Sequence, residues 1–295
     1  MSDALSIKQY DDWIGDIYDA WYPELHDEQH GPFRPMHQLA ESHFPRGKKG
    51  SRTATILDAA CGTGNNYVSF ARRGYAIYGT DGSKKMLARA MANCRAAGVS
   101  TERLVNEPIN GTDRAAYARH FLDRDIRFDM ILLNSNSLCH LPATMGCMDV
   151  ALGNLHDLLA PSGFLIVDTK RFAAASRVEG VQMFHELRYV EGEWKERGER
   201  SDGPRILPYR GEATLHSRMR YDVDPEYRVC RAFVEVTIES VLQPIERREL
   251  SYYPLPVDML EQWLLAAGRF KIERHVARSE PLNWAYDIVE AQKLD

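Results

Sequence analysis

The sequence predicts an α/β protein: a doubly wound, mostly parallel sheet with an inserted antiparallel β cap and an N-terminal helical lid. Three observations carry that reading. Between residues 54 and 168 short apolar runs alternate with helical patterns, the rhythm of βαβ units. The run Ile56-Leu57-Asp58 passes into a turn with two glycines, Gly62 and Gly64, and a second apolar run ends on Asp81. From residue 181 to 253 the helical patterns give way to alternating β-prone stretches such as Arg231–Glu239.

The elements follow in order. Residues 1–50 form a helical segment in which Tyr10, Trp13, Tyr18, Trp21 and Tyr22 recur much like one face of a helix. Such a face is either core or a lid over a site. The core, residues 51–180, opens after a polar lead-in with a strand over 54–59 and a helix over 65–73. A strand over 75–80 and a helix over 83–97 follow, the latter with Ser83 as N-cap, and then a strand near 102–106. Phe128–Leu133 reads as a buried strand. A helix from Asp149 to Leu159 stops before Pro161-Ser162-Gly163, and Phe164–Asp168 is the next strand. Residues 181–253 form the cap, and residues 254–295 complete the core with a helix over 257–267 and a strand near 284–291. Gly268–Ile272 suits an antiparallel hairpin.

Composition narrows the partners. The 295 residues suffice for one large domain or for a core with a sizeable insertion. At 44% hydrophobic and 27% charged the chain has an ordinary globular make-up. No apolar run approaches the roughly 20 residues of a membrane helix, and Met1-Ser2-Asp3 lacks a signal-peptide pattern, so a cytoplasmic protein without a membrane partner is expected. A net charge of −5 gives no footprint for nucleic acid and favours a small or zwitterionic substrate. The five cysteines are scattered without a C-x-x-C pair, which argues for reduced thiols and against a metal site. Cys61 is either a small side chain suited to a tight turn or an alkylation-sensitive thiol. No Ser-His-Asp set, Gly-x-Ser-x-Gly elbow or His-Glu-x-x-His motif is present, so no hydrolase chemistry is expected.

A strand, a Gly-x-Gly turn, a helix and a carboxylate about 20 residues on are the parts of a nucleoside-binding βαβ unit. A dinucleotide fingerprint wants a third glycine where Tyr67 stands, and no Gly-Lys-Ser/Thr follows, which excludes a P-loop. The site can approach a ribose and is poorly made for phosphate. The string Asp-x-Ala-Cys-Gly-Thr-Gly resembles motif I of the class I S-adenosylmethionine-dependent methyltransferases, a Rossmann-like family whose cofactor is a nucleoside without phosphate. The resemblance implies S-adenosyl-L-methionine as cofactor and S-adenosyl-L-homocysteine as product. It places Asp58, Ala60, Gly62 and Gly64 in the cofactor turn, and Asp81, with Gly82 beside it, at the ribose. It further implies Met86 against adenine, Asn110 near the exocyclic amine and Arg34 at the methionine carboxylate.

Three more segments narrow the likeness: Asn134–Pro142, Asp168–Phe172 and Leu250–Pro254. With the aromatic N-terminal segment they look like the glycine and glycine/sarcosine N-methyltransferases over nearly the whole chain. That likeness implies in-line methyl transfer to a small-molecule amine such as glycine or sarcosine. It implies Asn136 at the acceptor, Asn134 and His140 beside the cofactor, and Tyr22, Tyr252 and Tyr253 around the acceptor. His140 is the best candidate for a base; its alternative role is to hold its own loop. A homo-oligomer, dimer or tetramer, is the family's habit. One departure stands out. Where the family has an arginine that forks onto a carboxylate, this chain has Lys170, with Arg171 next. A guanidinium offers two parallel donors and an ammonium a point charge. Either Arg171 serves, or the acceptor is a different amine, hydroxyl or carbon. A non-catalytic cofactor-binding module is the reading from another class.

Overall fold

A computed structural model describes residues 7–21, 34–45, 53–109, 119–142, 144–170, 186–190, 193–197, 200–207, 211–223, 229–240, 243–266, 268–278 and 286–294. The chain enters through a π-helical turn, Tyr10–Ile14, that continues as α1 (Gly15–Trp21), and α2 is Arg34–His43. The core alternates β1 (Thr55–Ala59), α3 (Asn65–Arg72), β2 (Ala76–Asp81), α4 (Lys84–Ala96), β3 (Leu104–Asn106) and β4 (Phe128–Leu133). A 3-10 turn at Ser137–His140, α5 (Met145–Leu158) and β5 (Leu159–Lys170) follow. The cap contributes β6 (Glu186–Val190), β7 (Glu193–Arg197), β8 (Arg200–Leu207), β9 (Gly211–Val223), β10 (Val229–Ser240) and β11 (Gln243–Tyr252). The chain closes with α6 (Val257–Ala266), β12 (Phe270–Arg278) and β13 (Tyr286–Lys293).

Seven strands form the central sheet in the order β12-β13-β5-β4-β1-β2-β3. Strands β1 to β5 run parallel, and β13 joins antiparallel between β5 and β12. The sequence encodes this directly. Leu57, Ala59, Ile131, Leu133, Leu165 and Val167 pack on one face, while Ile56, Met130, Leu132 and Ile166 pack on the other. A period of two within continuously apolar strands leaves both faces to be covered by helices. The chain winds outward from β1 in one direction through β2 and β3, and in the other through β4 and β5. The carboxyl ends of β1 and β4 therefore flank a crevice at the point where the order reverses.

Two boundaries differ from the expectation. Helix α5 starts at Met145 rather than Asp149, because the Thr144 hydroxyl accepts the Cys147 N–H at 3.4 Å and caps it four residues earlier. Strand β5 starts at Leu159, opposite Phe128, so Pro161-Ser162-Gly163 lies inside a strand that bulges against β4. Gly163 permits this: a Cβ there would lie 3.0 to 3.2 Å from the carbonyl oxygens of Ala160, Phe128 and Asp129.

The expected cap is present as a six-stranded antiparallel sheet, β11-β10-β9-β7-β6, with β8 paired to β9. Its buried residues Leu215, Val234, Val236 and Leu250 belong to the same apolar cluster as Ile14, Ile17 and Leu138. The N-terminal helical segment is thus wedged between cap and core. It is also fastened to α4 by charge: Lys85 Nζ bonds Asp16 at 2.6 Å, Arg89 bonds Asp19 at 3.0 Å, and the Ser83 hydroxyl donates to Asp11 at 2.7 Å. Gly15 makes the approach possible, since a Cβ there would sit 2.8 Å from the Lys85 Cβ. Among the described residues, no helix is long and apolar enough to cross a membrane.

Candidate functional site

A cavity of about 940 Å³, including its open mouth, lies over the carboxyl ends of β1, β2 and β4. That size falls in the range of small-molecule and cofactor pockets, roughly 300–1,000 Å³. Its floor is the turn after β1, where Ala60, Gly62 and Gly64 all take positive φ (58°, 57° and 82°). Glycine tolerates that region and brings the backbone close to whatever fills the cavity. The Cys61 N–H donates to the Thr80 carbonyl at 2.7 Å and locks the turn onto β2.

At the end of β2, the Asp81 carboxylate accepts the Gly62 N–H at one oxygen and the Ser83 N–H at the other, each at 2.8 Å. An ionised carboxylate has about four acceptor sites, so about two remain toward the cavity, enough for a vicinal diol. Burial pushes the Asp81 pKa up to about 6, against the pull of those two N–H groups. Asp58 is pushed up to about 8, by burial first and by neighbouring Asp81 second, while bonds from the Asn66 amide and the Tyr67 N–H oppose the rise. One Asp58 oxygen is buried without a partner at the cavity, as is the Asn66 Oδ1.

The third wall is the loop after β4. Ser135 and Asn136 both take left-handed backbone, φ 56° and 62°. Their N–H groups donate to the two oxygens of Asp168 at 2.8 and 2.7 Å. Asn134 lines the cavity with both amide atoms buried and unpartnered. His140 shares a 3.0 Å hydrogen bond between Nε2 and the Tyr10 hydroxyl, and its ring lies 4.8 Å from that of Tyr252. Burial lowers the His140 pKa to about 4, so the imidazole is neutral near physiological pH. Tyr10 also hydrogen-bonds Tyr252. Together with Tyr18, these groups give the cavity a neutral aromatic wall.

The structure brings Asp58, Ala60, Gly62, Asp81, Gly82, Met86, Asn134 and His140 to this cavity. Gly64 lies beneath it, packed on Ala90 of α4. Tyr252 stands behind His140, whereas Tyr253 faces the scaffold: its N–H donates to the Cys139 carbonyl at 2.6 Å and its ring carries Arg231 at 4.9 Å. Asn136 does not line the cavity, because its left-handed backbone starts the 3-10 turn and tips its side chain into the protein. Arg34 is exposed at the start of α2, away from the cavity. Asn110, Arg171 and Tyr22 lie outside the described residues, as does the Lys170 side chain. Among the described residues, no cluster of His, Cys, Asp or Glu could hold a metal ion. Sequence reasoning missed Tyr10 and Tyr18 as individual wall residues, although both stood in the aromatic stripe. It also missed Asp168, whose partners are more than thirty positions away.

Comparison with known proteins agrees with this geometry. Residues 57–165 match the methyltransferase-domain family. A glycine N-methyltransferase of Rattus norvegicus is 29% identical over 126 residues, 40% of each chain. A glycine/sarcosine N-methyltransferase of Parasynechococcus marenigrum is 31% identical over 131 residues, 44% of this chain and 42% of that one. The chain thus aligns with less than half the length of these relatives. In three dimensions it resembles the CcbJ methyltransferase of Streptomyces caelestis, with a TM-score of 0.63 at 16% identity over 97% of this chain and 98% of that one. The amino pentose methyltransferase CalS10 from Micromonospora echinaspora gives a TM-score of 0.60 at 17% identity, over 94% and 97%. At such identities these likenesses speak for the fold. With its central domain matched by sequence and its whole architecture matched by shape, the chain belongs to the class I S-adenosylmethionine-dependent methyltransferases.

Proposed function

We propose that this chain binds S-adenosylmethionine in the described cavity and transfers its methyl group to the amine of a small molecule, with glycine and sarcosine the first acceptors to test. The observation that carries the reading is Asp81, whose two unused acceptor sites face the cavity beside the glycine turn. The unpartnered Asp58 oxygen and Asn134 amide add an acceptor set for an ammonium and a donor–acceptor pair for the amino-acid end of the cofactor. When bound, the cofactor supplies a methyl group on an already activated sulfonium. The protein then has to align and to exclude water, and good alignment alone can supply about 7–11 kcal/mol. Tyr10, Tyr18, His140 and Tyr252 form the wall that would do so, with residues 7–21 acting as a lid. Neutral His140 offers a lone pair, yet its lowered pKa makes it a weak base, so positioning is its stronger role.

The acceptor is argued from the relatives' names and from the Asn134–Pro142 segment. A second reading, another amine such as that of an amino sugar, is favoured by Lys170 standing where a forked arginine is expected and by the amino pentose methyltransferase among the structural neighbours. Turnover of labelled S-adenosylmethionine with glycine, sarcosine and an amine panel decides between them. Tight cofactor binding with no transfer to any acceptor would sink both readings.

Cofactor uptake should also release protons. With its pKa near 8, Asp58 is mostly protonated at neutral pH; a cationic group placed beside it favours the carboxylate and expels the proton. Affinity is therefore expected to rise as pH rises toward 8 and to level off above it. Calorimetry in buffers of different ionisation enthalpy measures the release directly, and an unchanged heat across buffers would count against the Asp58 contact.

A further inference from the structure

We propose that Asp168 is a positioning residue: it sets the cavity-facing edge of residues 134–140 by clamping the Ser135–Asn136 backbone in its left-handed turn. Two successive non-glycine residues at φ 56° and 62° hold a conformation that L residues rarely adopt, and serine and asparagine adopt it only where something fixes them. Here the fixing group is one carboxylate, each oxygen of which takes one of the two N–H groups. The turn decides where the following side chains point. Just before it stands Asn134, with its amide free toward the cavity; just after it come Ser137 and His140, both on the cavity wall.

Asp168 itself is buried at the end of β5 and does not line the cavity, so it acts through the loop. The loop's far end is held separately: the Tyr253 N–H donates to the Cys139 carbonyl, and the Cys139 sulfur lies 3.8 Å from the Thr169 hydroxyl, which donates to the Leu255 carbonyl. With that end pinned from β5 and from the segment after β11, releasing Asp168 frees only the entry of the loop, where Asn134 sits. The carboxylate is required for its symmetry. An asparagine keeps one acceptor and turns an NH₂ group against the second N–H, whereas an apolar residue satisfies neither.

The binding arm of the test rests on the proposed function; the exchange arm does not. Hydrogen exchange of the ligand-free protein should show the Ser135 and Asn136 amides exchanging about tenfold faster or more in Asp168→Asn than in the wild type, with β4 and β5 still protected. Calorimetric affinity for S-adenosylhomocysteine should fall about tenfold or more. Adding Ser135→Gly should recover a measurable part of that affinity, since glycine adopts the left-handed turn without the clamp. Asp168→Ala is the stronger variant; if it does not fold, the isosteric Asp168→Asn carries the test. Unchanged amide exchange in Asp168→Asn would overturn the proposal. So would an affinity loss that glycine leaves untouched while Tm falls in step, the mark of general destabilisation. A wild type that fails to bind S-adenosylhomocysteine would instead refute the proposed function and leave the exchange result to decide the clamp.

Discussion

Replacing Asp81 with alanine is expected to remove nearly all affinity for S-adenosylhomocysteine. Hydrogen bonds to a charged partner are worth about 1.5–3 kcal/mol each, so losing two ribose hydroxyl contacts predicts a drop of roughly 10²- to 10⁴-fold. The carboxylate has a second task, because it receives the Gly62 and Ser83 N–H groups and so shapes the turn that faces the ligand. Asp81→Asn separates the two tasks in part. It keeps one acceptor oxygen and nearly the same volume, and should fall between alanine and wild type. Calorimetry with a parallel Tm measurement checks both. Affinity unchanged in Asp81→Ala would remove the main support for a ribose at this site.

Gly64→Ala is expected to be among the most destabilising single-methyl additions in the chain. Gly64 holds φ 82°, and an added Cβ would lie 3.0 Å from the Ala90 Cβ and 3.2 Å from its Cα, atoms of a helix that cannot swing aside. Left-handed backbone costs an L residue about 1–2 kcal/mol. Overpacking adds about 1–3 kcal/mol more. Ala90→Gly in the same chain relieves the clash, at about 0.5–1 kcal/mol for a glycine inside a helix, and leaves the backbone penalty. The double variant should therefore recover only part of the loss. Gly62→Ala offers the contrast: its φ of 57° carries the same backbone penalty, but the methyl would meet only the Met86 Cε at 3.4 Å. Denaturant midpoints of the four proteins measure the separation. Equal losses at Gly62 and Gly64 would mean that the Ala90 contact yields easily.

What the sequence revealed follows from the range of the interactions involved. Strand β1, the Gly62–Gly64 turn, Ser83 as a cap and Asp81 at the end of β2 were legible because each is set by residues within a few positions. The cap was legible as a change of period. The start of β5 was not, because Pro161 and Gly163 are tolerated in a strand only where β4 supplies a bulged partner. The loop after β4 was half legible. Its composition pointed to an asparagine at the site, but whether Asn134 or Asn136 faces the cavity depends on a turn fixed from Asp168 on another strand. In the N-terminal stripe, spacing alone could not tell Trp13, which is buried in the core, from Tyr10, which faces the cavity; the π-helical turn that rotates one relative to the other is set by docking on α4 and the cap.

Ser83 touches two systems at once: its backbone N–H serves Asp81, and its hydroxyl serves Asp11 in the segment that covers the cavity. Opening the cover therefore disturbs the ground on which the nucleoside rests. Such a fastening implies an order of arrival, donor first and acceptor second, with departure in reverse. Steady-state patterns would carry its signature, the spent nucleoside competing with fresh donor and not with the amine.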